Sequence, residues 1–517
     1  MTTRTPLATG DISKRTLTVF AVGGSGIRSI EPLLHLCALG LGPRQLKILL
    51  VDPDQSNDAV QRIRGLIDLY LEARTGLTDN GPADGGYFRT EVVDVLDKGI
   101  LWSPIADDAS FGSSKFKARV ARPLMSEQAE DLAVLHDLLF SKETQEMDMT
   151  LGFRGVPAIG TVFMHRLRRA PFIRQLLSDA QTEPDSVFFA IGSIFGGTGA
   201  AGLPVIGRTL VAGLPAGEGG RGAVRGISPE RVGAALLLPY FTLPAPATQT
   251  AADGGIRPDS ALFAQNAAAA LPTYAQGDAQ YGGLYAIGDS EPREQLVNEV
   301  GGQAQANRSH YVELYAALAA LDFAARGGER SNDAKPVFHY TAVGGDAVRW
   351  SDLPIDIASE KRLMGGLVSI QSFLTYFRPN GNSHPHFERD FRGATWRSQL
   401  GLDGKAFEQR SKGLDALGKF FRASWAWLAE LRGSTPPLVL LNTQAPQPAD
   451  AALCDALEGR HSTVKTTRTT REDFALFRFW NVAAAKRSGT GFGEFLAMMR
   501  EGNEAYAQHH FPQVSHE

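Results

Sequence analysis

The chain has 517 residues, 43% hydrophobic and 21% charged, with 52 Lys and Arg against 56 Asp and Glu, a formal net charge of −4. That profile fits an ordinary globular protein with room for two sizeable cores, and it excludes a general nucleic-acid binder, which carries a basic surplus. The only cysteines are Cys37 and Cys454, which excludes a disulfide framework or a thiolate zinc site and fits a reducing cytoplasm, the expected location.

In chain order, residues 1–15 are polar, lack the apolar segment of a secretory signal, and read as a disordered arm. Residues 16–22 read as a strand, followed by Gly23-Gly24-Ser25-Gly26, a helical pattern over 27–39, and a second buried strand over 46–51 ending in Asp52-Pro53-Asp54. Strand, glycine turn, helix, strand and acid make the βαβ layout of a nucleotide-binding half-sheet. Yet the dinucleotide fingerprint GxGxxG fails, because Ser29 stands where its third glycine belongs, and no GxxxxGK[ST] loop exists.

Residues 55–150 hold a helix over 59–73, a glycine-rich loop over 80–86 and a helix over 129–140. They are a candidate lid or docking surface, or equally a helical excursion without a role. Gly152 to Gly160 then precedes a helical run through Phe163, Leu167 and Phe172, whose Arg166, Arg168 and Arg169 read as a solvated face.

The apolar run 187–191 leads into Gly192-Ser193-Ile194-Phe195-Gly196-Gly197-Thr198-Gly199 and a helix from about Pro204. Glycines at a strand-to-helix turn let backbone N–H groups approach a ligand without a Cβ in the way. The helix start adds unpaired donors and its positive dipole end, so the ligand this turn suits is an anion, most simply a phosphate.

Further on, 233–240 reads as a strand entering a proline-rich loop, 258–276 as an Ala-rich helix opening near Asp259, and 281–287 as a strand. More strands are expected near 336–343 and 437–441, and helices over 424–431, 474–485 and 492–509. The most apolar stretch, 232–247, is broken by Pro239, Pro244 and Pro246, so no segment is expected to span a bilayer.

Taken together, these segments resemble the nucleotide-site loops of the tubulin/FtsZ superfamily over roughly residues 16–325. Gly23 to Gly26 is similar to the family's first loop, GxGGxG, and Asp52-Pro53-Asp54 to the Asn/Asp-x-Asp closing its second strand. Gly152 to Gly160 shares its first glycine, its proline and the following Ile-Gly with the FtsZ loop GAGANPEIG. Gly196-Gly197-Thr198-Gly199 matches the signature GGGTG[ST]G, with departures at Phe195, Ala200 and Ala201, and Pro204 stands where FtsZ has a proline.

The resemblance implies an α/β fold with a Rossmann-like parallel-sheet GTPase domain over 16–257, a long central helix over 258–280, a smaller α+β domain over 281–445, and a helical C-terminal extension over 446–517. It implies GTP and Mg²⁺ as ligands, the ion held by phosphate oxygens and water with no protein cage. The implied phosphate contacts are Gly23, Gly24, Ser25, Gly26, Gly155, Gly196, Gly197, Thr198 and Gly199, with Arg154 adding charge, Asp54 acting through water or Mg²⁺, and Asn266 reading the guanine. It also implies head-to-tail self-association into filaments and GTP hydrolysis completed by a neighbour's loop. Here that loop is Asn307-Arg308-Ser309-His310-Tyr311-Val312-Glu313, with Asn307 and Glu313 as candidate catalytic residues and Ser309 where the family's first acid stands. Tyr311, Leu314, Tyr315, Leu318 and Leu321 share one helical face, which leaves Glu313 off it and directed at the neighbour. Partners other than a second copy would use residues 55–150 or the C-terminal extension. The alternative is a nucleotide-binding scaffold or switch subunit, possible in phage defence among other processes, that neither polymerises nor hydrolyses; a Rossmann-type oxidoreductase is the third reading.

Overall fold

A computed structural model describes residues 11–77, 86–96, 99–105, 115–116, 134, 137–216, 222–244, 256–294, 302, 307–328, 336–341, 346–377, 395–401, 411–444, 456–457 and 470–511. The part of the expected arm over 1–10, the expected loop over 80–85 and most of the expected helix over 129–140 therefore lie outside the described residues.

The centre is an α/β parallel sheet. β1 (Thr16–Val22), β5 (Ser186–Ser193) and β6 (Val232–Leu237) are buried at every position. Such uninterrupted runs belong to parallel strands covered on both faces. The strand order is β10 (Val337–Thr341), β8 (Gly283–Ile287), β6, β5, β1, β2 (Gln45–Val51), β3 (Glu91–Asp94), with β4 (Leu101–Trp102) also on β2. Every pairing in it is parallel, and Val22 at the end of β1 lies between Val51 and Gly192. From β1 the chain builds outward through β2 and β3, then returns to β5 and builds the other way. The boundary between β1 and β5 is thus a topological switch point, where ligands bind beyond the strands' carboxyl ends. A two-stranded parallel pair, β7 (Phe241–Thr242) with β9 (Arg293–Glu294), stands apart.

Helices cover the sheet: α1 (Gly23–Arg28), α2 (Ile30–Ala38), α3 (Asp58–Leu77), α4 (Pro157–Met164), α5 (Pro171–Thr182), α6 (Thr198–Ala212), α7 (Phe263–Ala275) and α8 (Tyr311–Arg326). Every residue of α8 from Tyr311 to Ala325 is buried, and the helix packs on β5, β6, β8 and α2. A capping box starts it, and Gly327 in the left-handed region ends it. Beyond lie α9 (Ile357–Tyr376), α10 (Ser411–Arg432), α11 (Thr470–Ala485) and α12 (Phe492–His510). These pack on one another, α12 against α9 and α11, and α10 joins them to the sheet by lying along α3.

Three expectations need correction. The helix placed over 258–280 is α7, shorter than expected and with many exposed positions; the buried helix of this region is α8. The strand over 281–287 starts no second sheet, because β8 pairs with β6 and β10 with β8 in the central sheet. A short apolar run bounded by glycine signals a buried strand but not which sheet it joins. Among the described residues of 346–445 there are helices and isolated bridges only, Leu438 with Val348 and Leu441 with Leu457 standing where a strand over 437–441 was expected. The helices of 446–517 pack into the molecule through α9.

Candidate functional site

Three backbone turns meet at the switch point. β1 ends at Val22, and Gly23 follows with φ +73, a left-handed conformation that glycine adopts without strain. A Cβ on Gly23 would lie 3.3 Å from both the Gly199 amide nitrogen and the Thr198 Cβ, so the turn after β1 rests against the start of α6. The turn after β5 leads to α6 through Gly197, and no side chain caps that helix. Its first-turn N–H groups are therefore available to a ligand. The third turn, 152–155, carries Gly152, Arg154 and Gly155 at φ +88, +45 and +79. Arg154 pays conformational energy there, since a non-glycine residue in this region is held at a cost of about 1–2 kcal/mol. This turn presses on the second: a Cβ on Gly197 would meet the Phe153 Cβ at 2.9 Å and the Gly155 nitrogen at 3.0 Å. Gly197 itself has φ −85, so contact and not backbone angle demands glycine there.

These turns line one cleft, open to solvent, with about 820 Å³ of empty space counted out into that opening. Asp52, Asp54, Asn57, Asn307 and Arg28 line it as well, and Phe195, Phe241 and Phe263 form an apolar wall with ring centroids 4.7–5.8 Å apart. The two acids behind β2 differ. Asp54 is tied on both oxygens, Oδ1 accepting from the Ser56 amide and hydroxyl and Oδ2 from the Gly302 amide at 2.7 Å. Asp52 accepts from the Asp54 amide at 2.8 Å, but burial, reinforced by the neighbouring Asp54 charge, pushes its carboxyl up to about 8. Burial thus favours the protonated form of Asp52 over the carboxylate.

Behind the turn after β1, Arg28 donates from Nε to Glu313 Oε1 at 2.6 Å and from Nη2 to the Tyr240 hydroxyl at 2.8 Å. Burial disfavours its cation, but Tyr240 and Glu313 more than offset that and hold the guanidinium protonated. Glu313 also accepts from Tyr240 at 3.0 Å and, through Oε2, from the His310 amide at 3.1 Å. Burial pushes its carboxyl up, and the Arg28 cation chiefly opposes the shift. His310 Nδ1 accepts from the Val312 amide at 3.2 Å, so the neutral ring bears its proton on Nε2, 3.7 Å from Asp289 Oδ2. Burial, then Arg28, lowers His310 to about 3 and keeps it neutral.

Of the residues singled out in the sequence, Gly23, Gly24, Ser25, Asp54, Arg154, Gly155, Gly196, Gly197, Thr198, Gly199 and Asn307 line the cleft. Three do not. Gly26 is a packing glycine: a Cβ there would stand 2.2 Å from the Ile191 carbonyl oxygen of β5. Asn266 donates from Nδ2 to the Phe195 carbonyl at 3.3 Å and so braces the turn after β5 from behind. Glu313, expected to face a neighbouring subunit, is 1% exposed and engaged within its own chain. Asn307, expected to serve a neighbour too, lines its own subunit's cleft, its Oδ1 buried and without a hydrogen bond. Sequence reasoning missed Arg28, Asn57 and the phenylalanine wall, and named Asp52 within the Asp52-Pro53-Asp54 motif without giving it a role. Arg28 offered one signal, since it stands two residues after the glycine turn Gly23 to Gly26, close enough to reach back to an anion bound there.

The fold and cleft define a Rossmann-like α/β protein with a glycine-lined, cation-bearing cleft at its switch point. Scans of the chain against protein-family models and against curated proteins find no match. Among the described residues no helix is long and apolar enough to cross a membrane, and no three His, Cys, Asp or Glu side chains gather as a metal cluster.

Proposed function

We propose that the cleft binds a nucleoside phosphate, GTP with Mg²⁺ foremost, and that the chain is a divergent tubulin/FtsZ-like GTP-binding protein. One observation carries this reading: turns after β1 and β5, with the 152–155 turn, converge on the uncapped N-terminus of α6 at the switch point. Backbone N–H groups of the first turn of α6 would take the phosphates, with Thr198 supplying a hydroxyl. Because both Asp54 oxygens are engaged inside the protein, phosphate oxygens and waters would form most of the coordination of a Mg²⁺ ion, in keeping with that ion's reluctance to dehydrate. Asn307 replaces Asn266 as the proposed base reader, since its unpaired buried carbonyl oxygen asks for a donor such as the guanine N–H edge.

The engagement of Glu313 within its own chain favours the switch or scaffold form of this reading over trans catalysis by the 307–313 segment. Calorimetric titration with GTP, GDP and ATP tests ligand binding. Light scattering with GTP against GDP tests assembly: a nucleotide-dependent rise restores the head-to-tail filament reading, and a flat trace supports the switch.

A further inference from the structure

We propose that Arg28 is a phosphate-contacting residue of the cleft and that Glu313 and Tyr240 position it. This rests on the nucleotide-binding reading and adds a second cation to it beside Arg154. Three of the guanidinium's groups are accounted for by direction. Nε is committed to Glu313 at 2.6 Å, and Nη2 to Tyr240 at 2.8 Å with Ser25 Oγ further off at 3.5 Å. Nη1 makes no hydrogen bond among the described residues and lies 3.8 Å from where a Cβ on Gly24 would be, on the floor of the cleft. The Arg28 side chain is 11% exposed and that of Glu313 2%, so the pair is largely desolvated, and Arg28 lines the cleft.

A guanidinium fixed by two partners loses little further freedom when it takes a third, and its planar fork suits phosphate oxygens. Charge reinforces the geometry. A buried cation needs a counter-charge when the cleft holds no ligand, and Glu313 supplies it. A phosphate arriving at Nη1 meets a cation whose field is partly cancelled by the carboxylate behind it. Glu313 therefore orients Arg28 and at the same time limits its pull on anions.

This gives the two residues opposite signs. Titrations with GTP and with inorganic tripolyphosphate, which has no base, would be run on the wild type and on variants whose fold is checked by circular dichroism. Arg28→Ala should weaken both ligands by the same factor, roughly tenfold to a hundredfold, the range of a charge-assisted hydrogen bond. Glu313→Gln keeps an acceptor for Arg28 but removes the counter-charge; it should melt at lower temperature without ligand yet bind both more tightly, by roughly threefold to tenfold. Should Arg28→Ala not fold, Tyr240→Phe, which removes one hydroxyl, should weaken both ligands by a few-fold. Unchanged affinity in Arg28→Ala, or loss for GTP with tripolyphosphate unaffected, overturns the phosphate assignment. Weaker or unchanged binding in Glu313→Gln overturns the charge-tempering role. If the wild type binds neither ligand, the nucleotide reading falls, and this inference with it.

Discussion

Arg28 and Glu313 stand 285 positions apart in the sequence and 2.6 Å apart in the folded chain. Their ion pair fastens the glycine turn after β1 to the first turn of α8, a helix buried from Tyr311 to Ala325. Asn307 lies just ahead of α8, and Ser309 between them is held from the far side, its hydroxyl donating to Glu430 of α10 at 3.0 Å. The cleft is thus continuous, through one short segment, with both the core and the C-terminal helices.

Gly24→Asp is expected to abolish nucleotide binding and spare the fold. A Cβ at Gly24 meets nothing closer than Arg28 Nη1 at 3.8 Å and Asn57 Nδ2 at 3.9 Å, both ordinary contacts. The new carboxylate would stand in the cleft and repel phosphate by several kcal/mol, so titration should show at least a hundredfold loss with an unchanged circular dichroism spectrum.

Gly26→Ala is expected to do the reverse, damaging the fold before any ligand is considered. Its Cβ would sit 2.2 Å from the Ile191 carbonyl oxygen, and backbone cannot move aside cheaply. Overpacking of this kind costs typically 1–3 kcal/mol and more against rigid backbone. Denaturant unfolding should show a loss at or above that range; a loss under about 0.5 kcal/mol would show that α1 does not press on β5 as described.

The contrast between these glycines shows what the sequence could and could not convey. Strands over 16–22, 46–51, 187–191 and 233–240 were legible because apolar runs end in residues that stop a strand, glycine after the first and third, Asp52-Pro53 after the second and Pro239 in the fourth, and the segments that follow them line one cleft. Which glycine faces a ligand and which faces a neighbouring strand depends on what lies across from it, and Ile191 is 165 positions from Gly26. Glu313 was misplaced for a related reason. An apolar stripe on α8 suggested an exposed opposite face, but Ala316, Ala317, Ala320 and Ala324 off that stripe are buried too, in a helix packed on the sheet and α2. The one acid left there is neutralised by an arginine from the other end of the domain. The domain boundary near 281 failed because β8 and β10 carry no local mark of the sheet they join.

Asn307→Ala should lower GTP affinity by roughly tenfold, the worth of one hydrogen bond in a desolvated site, and lower ATP affinity less. Asn266→Ala removes only the brace on the Phe195 carbonyl, so its effect should be a few-fold and equal for both nucleotides. Parallel titrations of the two variants decide between them as base readers; a larger GTP-specific loss in Asn266→Ala would reinstate that residue.

Asp52 gives the stability of the chain a pH dependence with a defined sign. Its folded value of about 8 lies above the ordinary carboxylate value of about 4, so folding favours the protonated form. That contribution is complete below about pH 4 and is lost as pH rises through about 8, with a slope of at most about 1.4 kcal/mol per pH unit. Asp52→Asn cannot ionise and should escape this loss. Denaturant unfolding from pH 5 to 9 should show the wild type falling relative to Asp52→Asn and then levelling off; parallel curves would mean that Asp52 is ionised in the folded chain.

The central claim is that the cleft between β1 and β5 takes a nucleoside phosphate, and calorimetric titration of the wild type beside Gly24→Asp tests it most directly. With Mg²⁺ present, the wild type should bind one GTP per chain, more tightly than ATP, and Gly24→Asp should bind neither. Absence of binding by the wild type for every nucleoside phosphate at millimolar concentration, or equal binding by the two proteins, would contradict it.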